Sequence, residues 1–322
     1  MTSVDSGAAM TQAPSPLLAA RSIMFLEFDG TMHRVTMPKF SSAANLVLAL
    51  LLWSSSAFAA DVMSTNLEER TVEGFNRYVQ ATETRIDHEV TRSGPFLHVE
   101  SLPEPQSSET LASLHRGDIY IERLQTPGAS GSAIEVPNGL VHHWIGAVFI
   151  PRATLLDVLD LAEDYDHHQD IYKPEVVRSR LLHHQGNNYQ IYYRLVKRKI
   201  ITVTLDTNHD VEYFPIDATH CRSRSVSTRI AEITNADQSG EHEKPVGQDS
   251  GFLWRMNSYW RFEQKDGGVY VEVEAVSLTR DIPSGLGWIV RPFVTSIPRE
   301  SLLMTLGDTR TAVEARIHSA SR

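Results

Sequence analysis

The chain has 322 residues, 41% of them hydrophobic, which is enough for one large domain or two small ones with a true core. Acidic residues outnumber basic ones by 40 to 30, and no long basic run is present, so the sequence lacks the positive surface of a nucleic-acid-binding protein. Cys221 is the only cysteine, which excludes a scaffold held together by internal disulfides and leaves burial of apolar surface as the source of stability.

The N-terminal part of the chain has the composition of a leader with a secretory signal peptide. An apolar run at 43–53 follows Lys39 and precedes small residues that end at Ala59 and Ala60. A basic start, an apolar centre and small residues at the cleavage site are typical of a signal peptide, whereas a membrane-spanning helix needs ~20 apolar residues. We therefore predict cleavage near Ala59 or Ala60 and a periplasmic or secreted location. An uncleaved membrane anchor is the alternative, and Met37 is an alternative start of the chain.

The mature chain begins with helical spacing of its apolar residues. Over 67–90 these residues recur on one face with Glu and Arg between them, which predicts an amphipathic helix that ends at Gly94-Pro95. A loop-rich stretch follows, with a short helix around Leu111 and a strand at 119–124. We predict that this part of the chain is a helical extension packed outside the main domain.

Strand-like segments, rich in β-branched and aromatic residues, dominate after Pro137. Helices are predicted at 155–165 and, at the C-terminal end, at 299–317. The polar stretch 235–249 predicts a loop, and Lys-Asp-Gly-Gly at 265–268 predicts a hairpin turn between the last two strands. The predicted strands lie at 141–150, 176–183, 189–196, 200–206, 211–216, 222–233, 252–263 and 269–280.

This order of elements favours an α+β fold. A single antiparallel sheet of that length must curl, and a helix laid in its concave side closes it. We therefore predict a helix-grip arrangement, in which a curved antiparallel sheet wraps around the long C-terminal helix and leaves a cavity between the two.

Three stretches resemble the START-like superfamily of lipid-transfer proteins, polyketide cyclases and related binding domains. Residues 153–182 (ATLLDVLDLAEDYDHHQDIYKPEVVRSRLL) are similar to its helix pair and second strand, 251–283 to its final hairpin, and 298–317 (PRESLLMTLGDTRTAVEARI) to its C-terminal helix. The resemblance implies the helix-grip fold, which hosts carriers, receptors and enzymes alike, and it carries over no catalytic residue. The predicted organisation is a leader and signal peptide at 1–60, a helical extension at 61–136 and a START-like domain at 137–322.

Alternation along the last two strands predicts which side chains face the cavity. Even-numbered residues of 252–263 and odd-numbered residues of 269–280 are expected to point toward the C-terminal helix. Two aromatic residues near Gly285 and Gly287 are expected to form its mouth or lid. The alternative is that these side chains simply fill a core. The predicted cavity residues are Trp254, Met256, Ser258, Trp260, Val273, Ser277, Trp288, Phe293, Leu302 and Leu306.

Histidines occur in adjacent pairs at 142–143, 167–168 and 183–184. Neighbouring residues of a strand point to opposite faces, so neither the pair at 142–143 nor the pair at 183–184 can bind one ion from one side. No His-x-x-x-His spacing is present either, and we predict solvated histidines, no metal and no cofactor. The basic cluster at 194–199 is predicted to lie at the solvated end of a hairpin.

Three functions remain open on the sequence. The first is a non-catalytic binding or transfer protein for a hydrophobic small molecule (a lipid, quinone or polyketide-like compound). Transient contact with a membrane is compatible with this function. The second is a cyclase- or aromatase-type enzyme, which needs several convergent ionisable groups in the cavity. The third is an envelope interaction module whose N-terminal helix contacts a partner. Inward positions are mostly Trp, Met, Val, Ser and Thr, which favours the first; the oligomeric state stays open.

Overall fold

A long antiparallel sheet forms the centre of the fold. The computed structural model describes residues 64–91, 94–282, 285, 287–288, 291 and 296–320. The strands are β1 (Thr65–Asn66), β2 (Tyr120–Arg123), β3 (Gly139–Pro151), β4 (Val176–Gln185), β5 (Asn188–Arg198), β6 (Thr202–Pro215), β7 (His220–Thr234), β8 (His242–Glu243), β9 (Gln248–Asp249), β10 (Arg255–Lys265) and β11 (Gly268–Arg280). Within the described residues, the main sheet has the order β2-β3-β11-β10-β7-β6-β5-β4, with β8 beside β7, and β1 pairs separately with β9.

Turn chemistry sets the hairpin between β10 and β11. Asp266 and Gly267 have positive φ angles of 56° and 77°, a left-handed conformation that Asp tolerates and Gly adopts freely. The register runs from Lys265 opposite Gly268 to Arg255 opposite Leu278 without interruption. The predicted hairpin is therefore present, and alternate residues of both strands point to opposite faces.

Strand β6 corrects one prediction. The sequence predicts two strands, at 200–206 and 211–216, whereas β6 is continuous over both. A β-bulge against β7 at Asn208/His209 accommodates the polar residues between the two apolar segments, and β5 pairs with β6 without interruption from Thr202 to Glu212. Pairing on both sides thus holds this segment in an extended conformation, which its own composition does not favour.

The helices are α1 (Glu69–Thr91), α2 (Gln106–His115), α3 (Leu155–Ala162), α4 (His168–Ile171) and α5 (Ile297–Ala320). At the start of α3, Thr154 and Asp157 form a capping box, in which each side chain accepts from the backbone N–H of the other. None of the helices in the described ranges is long and apolar enough to cross a membrane. The predicted leader and signal peptide lie outside these ranges.

Helix α5 packs against β2, β3 and β11. Its buried Leu302, Leu306 and Val313 join the main hydrophobic core together with sheet residues such as Val271. The close approach depends on Gly146 in β3, where a Cβ would lie 2.8 Å from Leu306 Cδ1. The structure therefore confirms the predicted α+β helix-grip class.

Helices α1 and α2 cover the opposite face of the sheet. Phe75, Tyr78 and Ile86 of α1 pack against Val276 and Leu278 of β11. This agrees with a helical extension packed outside the sheet. Strand β2 belongs to the same stretch of chain, however, and pairs with β3, so the extension also contributes one strand to the main sheet.

Buried ion pairs join α1 to the sheet. Arg85 of α1 pairs with Glu274 of β11, and Glu89 of α1 accepts a hydrogen bond from Arg261 of β10 at 2.7 Å. Arg261 also lies 3.5 Å from Glu272, which is 1% exposed. The two buried carboxylates, Glu272 and Glu274, therefore each have a cationic partner, as removal from water requires.

Candidate functional site

A cavity of about 270 Å³ lies between the sheet and α5. Strands from β3 across to β5 all contribute to its wall, together with α3, α4 and the first turns of α5, so the sheet curves around it. β10 pairs with β11 in an unbroken register, so alternate residues of both strands face the cavity. The predicted residues that line the cavity are Met256, Ser258, Trp260, Val273, Ser277 and Leu302.

The other predicted cavity residues lie elsewhere. Trp254 packs with the α1 cluster on the opposite face, and its Nε1 donates to Asp249 Oδ1 at 3.0 Å. It precedes the first residue of β10, so strand alternation does not extend to it. Leu306 is buried in the core beside the cavity, and Trp288 is 66% exposed. Phe293 lies outside the described residues.

The opposite wall of the cavity comes from β5 and β6, which the sequence analysis did not assign to it. Alternate residues of β5 and β6 point inward there, and the period of two was visible in the sequence. Which face of these strands meets the helix could not be decided without the sheet order. The residues of this wall are Ile191, Tyr193, Leu195, Lys197, Val203, Leu205, His209, Val211 and Tyr213.

A histidine–tyrosine pair lies where α4 meets β5. Tyr193 Oη is 2.7 Å from His168 Nδ1, and His168 Nε2 is 3.2 Å from the carbonyl oxygen of Leu161. Burial lowers the pKa of His168 to about 4 and raises the pKa of Tyr193 well above its usual value. Both side chains are therefore uncharged at neutral pH, which corrects the prediction that His168 is solvated.

Three further tyrosines line the cavity and bond to the protein. Tyr165 Oη lies 3.0 Å from Tyr213 Oη, which donates to a carbonyl oxygen at the end of α3 at 3.2 Å. Tyr172 Oη lies 3.1 Å from Thr309 Oγ1 of α5. Burial raises the pKa of Tyr172 to about 12, so this group also stays protonated at neutral pH.

His142 of β3 and His209 of β6 complete the polar part of the wall. Their Nε2 atoms lie 2.9 Å from Thr279 Oγ1 and 3.1 Å from Thr207 Oγ1, respectively. Burial lowers the pKa of each histidine to about 4. His143 next to His142 bonds to Tyr78 and Glu274 on the other face of the sheet, as strand alternation predicts.

Lys197 and Glu175 form an ion pair at the end of the cavity near the start of α5, and Lys197 Nζ also donates to Ser301 Oγ at 2.6 Å. This corrects the prediction of a solvated basic cluster for Lys197. Arg194, buried against Asp206 at 2.7 Å, corrects it as well, whereas Arg198 and Lys199 are exposed. Burial lowers the pKa of Lys197 to about 7, although the carboxylate of Glu300 raises it. While Lys197 keeps its proton, its charge and that of Glu175 cancel.

Other chemistry is sparse among the described residues. No three His, Cys, Asp or Glu side chains there are grouped as metal ligands would be. Cys221 is buried, and burial raises the pKa of its thiol to about 11, so little thiolate is present at neutral pH. What the cavity offers is an apolar space whose wall contains uncharged polar groups and one ion pair.

No family model and no curated protein matches the chain. Similar solved structures include a STAR-related lipid transfer protein from Xanthomonas axonopodis (17% identity, 56% of this chain and 97% of that one, TM-score 0.39). Another is the Zhui aromatase/cyclase from Streptomyces sp. R1128 (14% identity, 56% of this chain and 98% of that one, TM-score 0.38). Human STARD10 is a third (10% identity, 69% of this chain and 86% of that one, TM-score 0.39). At these TM-scores the likeness carries no weight by itself, and the helix-grip arrangement rests on the strand order and the position of α5.

Proposed function

We propose that this protein binds a hydrophobic small molecule, such as a lipid, quinone or polyketide-like compound, in the cavity between the sheet and α5, and holds or transfers it. The observation that carries the proposal is the cavity itself, about 270 Å³ inside the fold with a mostly apolar wall. Burying apolar ligand surface contributes roughly 25 cal/mol per Å², so such a space supplies affinity without charged contacts.

The charge state of the wall supports the same proposal. The three cavity histidines are neutral, the tyrosines keep their protons, and the one lysine of the wall is paired with Glu175. A charged ligand would lose its hydration on binding and find no unpaired opposite charge in the wall to compensate for that loss. An uncharged, largely apolar ligand meets no such penalty.

A cyclase-type enzyme is the second candidate function. Histidines and tyrosines with shifted pKa values converge on one cavity, and such convergence is typical of catalytic sites. The sequence had predicted none of these ionisable groups in the cavity. Most of these groups, however, bond to backbone carbonyls or to one another. Binding therefore remains the better supported function.

The interaction-module alternative loses its main support in the structure. That hypothesis requires the apolar face of α1 to be available to a partner. Phe75, Tyr78 and Ile86 are instead buried against the sheet. The polar face of α1 is the part that remains open to solvent.

Export to the periplasm or out of the cell belongs to the proposal as well, since the signal-peptide pattern at 43–60 motivates it. In that location a carrier shields its ligand from water between membranes. Transient membrane contact is part of the same proposal. The 66% exposed ring of Trp288 is suited to the membrane–water interface.

Native mass spectrometry of gently purified protein tests the proposal. We expect a co-purifying apolar compound, released on denaturation and absent from a Met256→Asp variant whose cavity carries a charge. Conversion of that compound on incubation with fresh protein would support the enzyme instead. A protein that carries no compound and shows no thermal shift across a lipid and quinone panel would contradict binding in the cavity.

A further inference from the structure

The hydroxyl hydrogens of the cavity tyrosines are all directed at the protein. His168 Nε2 contacts a backbone carbonyl, which can only accept, so Nε2 carries the hydrogen and Nδ1 accepts from Tyr193. Tyr213 donates to a carbonyl of α3, so Tyr165 is the donor in its contact with Tyr213. Tyr172 bonds to a threonine of α5 whose own hydrogen goes to a helix carbonyl at 2.7 Å, so Tyr172 also donates. These tyrosines therefore offer lone pairs to a ligand.

The hydrogen positions of His142 and His209 follow from their threonine partners in the same way. Thr279 Oγ1 donates to a backbone carbonyl at 3.1 Å, and Thr207 Oγ1 donates to one at 3.4 Å. Because the one hydrogen of each threonine hydroxyl goes to that carbonyl, its contact with histidine is a hydrogen bond only if the histidine Nε2 donates to the hydroxyl oxygen. His142 and His209 therefore carry their hydrogen on Nε2, and their Nδ1 atoms have no hydrogen-bond partner among the described residues. Since both rings line the cavity, a partner for Nδ1 would lie there.

We infer that the cavity takes an uncharged apolar molecule bearing a hydrogen-bond donor, such as the hydroxyl of a phenol or ring alcohol, and that His209 Nδ1 accepts from it. The inference rests on the proposed function. Tyr193, whose Oη also offers lone pairs, belongs to the neighbouring strand, and its ring lies 5.9 Å from that of His209. A ligand that donates a hydrogen bond to an acceptor without a protein partner gains more than apolar burial alone.

Other groups of the wall do not oppose this selectivity. The serine hydroxyls and the indoles of Trp144 and Trp260 can donate, so a carbonyl elsewhere on the ligand is tolerated. A carboxylate is disfavoured, because the histidines are neutral and Lys197 is already bonded to Glu175 and Ser301. The donor requirement thus separates alcohols from ethers and acids of the same skeleton.

Four compounds on one ring system test the inference at neutral pH: naphthalene and its β-substituted hydroxyl, methoxy and carboxylate derivatives. Dissociation constants from tryptophan fluorescence should rank naphthol about tenfold tighter than the methyl ether, with naphthoate weakest. Equal affinities of naphthol and ether, or tighter binding of naphthoate, would overturn the donor inference alone. If naphthalene and its derivatives all fail to bind, the cavity function fails with it.

Variants locate the acceptor. In His209→Phe the naphthol-to-ether preference should fall to about twofold or less while naphthalene still binds, whereas Val211→Leu, on the same strand and the same wall, should keep the preference. A preference unchanged in His209→Phe would overturn the assignment. Nitrogen NMR of the unliganded protein gives a check that needs no variant: neutral Nε2–H tautomers are expected for His142, His168 and His209, and an Nδ1–H tautomer at His209 would contradict it.

Discussion

At the scale of single residues, burial decides the ionisation of the cavity histidines. Each has a pKa of about 4, below the ordinary 6.5, so between these values the unfolded chain binds protons that the folded chain does not. Each therefore lowers the free energy of unfolding as the pH falls through this window, by up to about 1.4 kcal/mol per pH unit. Below about pH 4 this loss stops.

A single substitution isolates that effect. Urea unfolding of His209→Phe should show a shallower dependence on pH between 6.5 and 4.5 than the wild type, by about 1 kcal/mol per pH unit. His183→Phe, at an exposed position of β4, serves as the control and should keep the wild-type slope. Equal slopes for wild type and His209→Phe would show that His209 is not held neutral.

Met256 offers a second test at residue scale, because it lines the cavity next to Ser277 of the neighbouring strand. Met256→Asp places an unpaired charge there and should abolish binding of apolar compounds and lower the free energy of unfolding by about 2–4 kcal/mol. Leu182→Asp makes a comparable change at a 48% exposed position and should alter stability by less than about 1 kcal/mol. Ligand binding that survives Met256→Asp would place the ligand elsewhere.

At the scale of elements, charge as well as apolar surface holds α1 on the sheet. Arg261 lies between Glu89 and the fully buried Glu272. Burial raises the pKa of Glu272, whereas the guanidinium of Arg261 lowers it and so limits the rise. Removing one member of such a cluster leaves its partners unpaired, which costs more than the intact cluster contributes.

Arg261→Met should therefore lower the free energy of unfolding by about 3–5 kcal/mol and increase hydrogen exchange in α1. Arg70→Met is the matched control, because Arg70 pairs with Glu68 in solvent and its loss should cost less than about 1 kcal/mol. Similar stabilities for the two variants would mean that the ion pairs of Arg261 do not help to hold α1 on the sheet.

At the scale of the whole molecule, the proposed export would determine where a bound ligand is carried. The mature N-terminus, measured by intact mass on fractionated cells, should fall at or just after Ala59 or Ala60, because small residues there satisfy the signal-peptidase preference. A substitution of both alanines by glutamine should accumulate the precursor, whereas the same change at Ser54 and Ser55 should not. An intact Met1 or Met37 on the exported protein would contradict the prediction.

Much of the fold was determined by local sequence. The Asp266-Gly267 turn sets the last hairpin, and alternation along β10 and β11 identifies Met256 and Val273 as inward-facing, because side chains on a strand alternate regardless of what surrounds it. The element order was enough to predict a sheet around a C-terminal helix. Alternation failed at Trp254, which precedes the regular strand and turns to the other face.

Only the tertiary structure decided the chemistry of the cavity. His168, Tyr193 and His209 lie on separate elements, and no spacing along the chain shows that the fold brings them to one wall. Their charge and the position of their hydrogens follow from burial and from neighbours distant in sequence. Pattern along the chain determines which way a side chain points, but what it meets there depends on how the strands are ordered and how far the sheet curves.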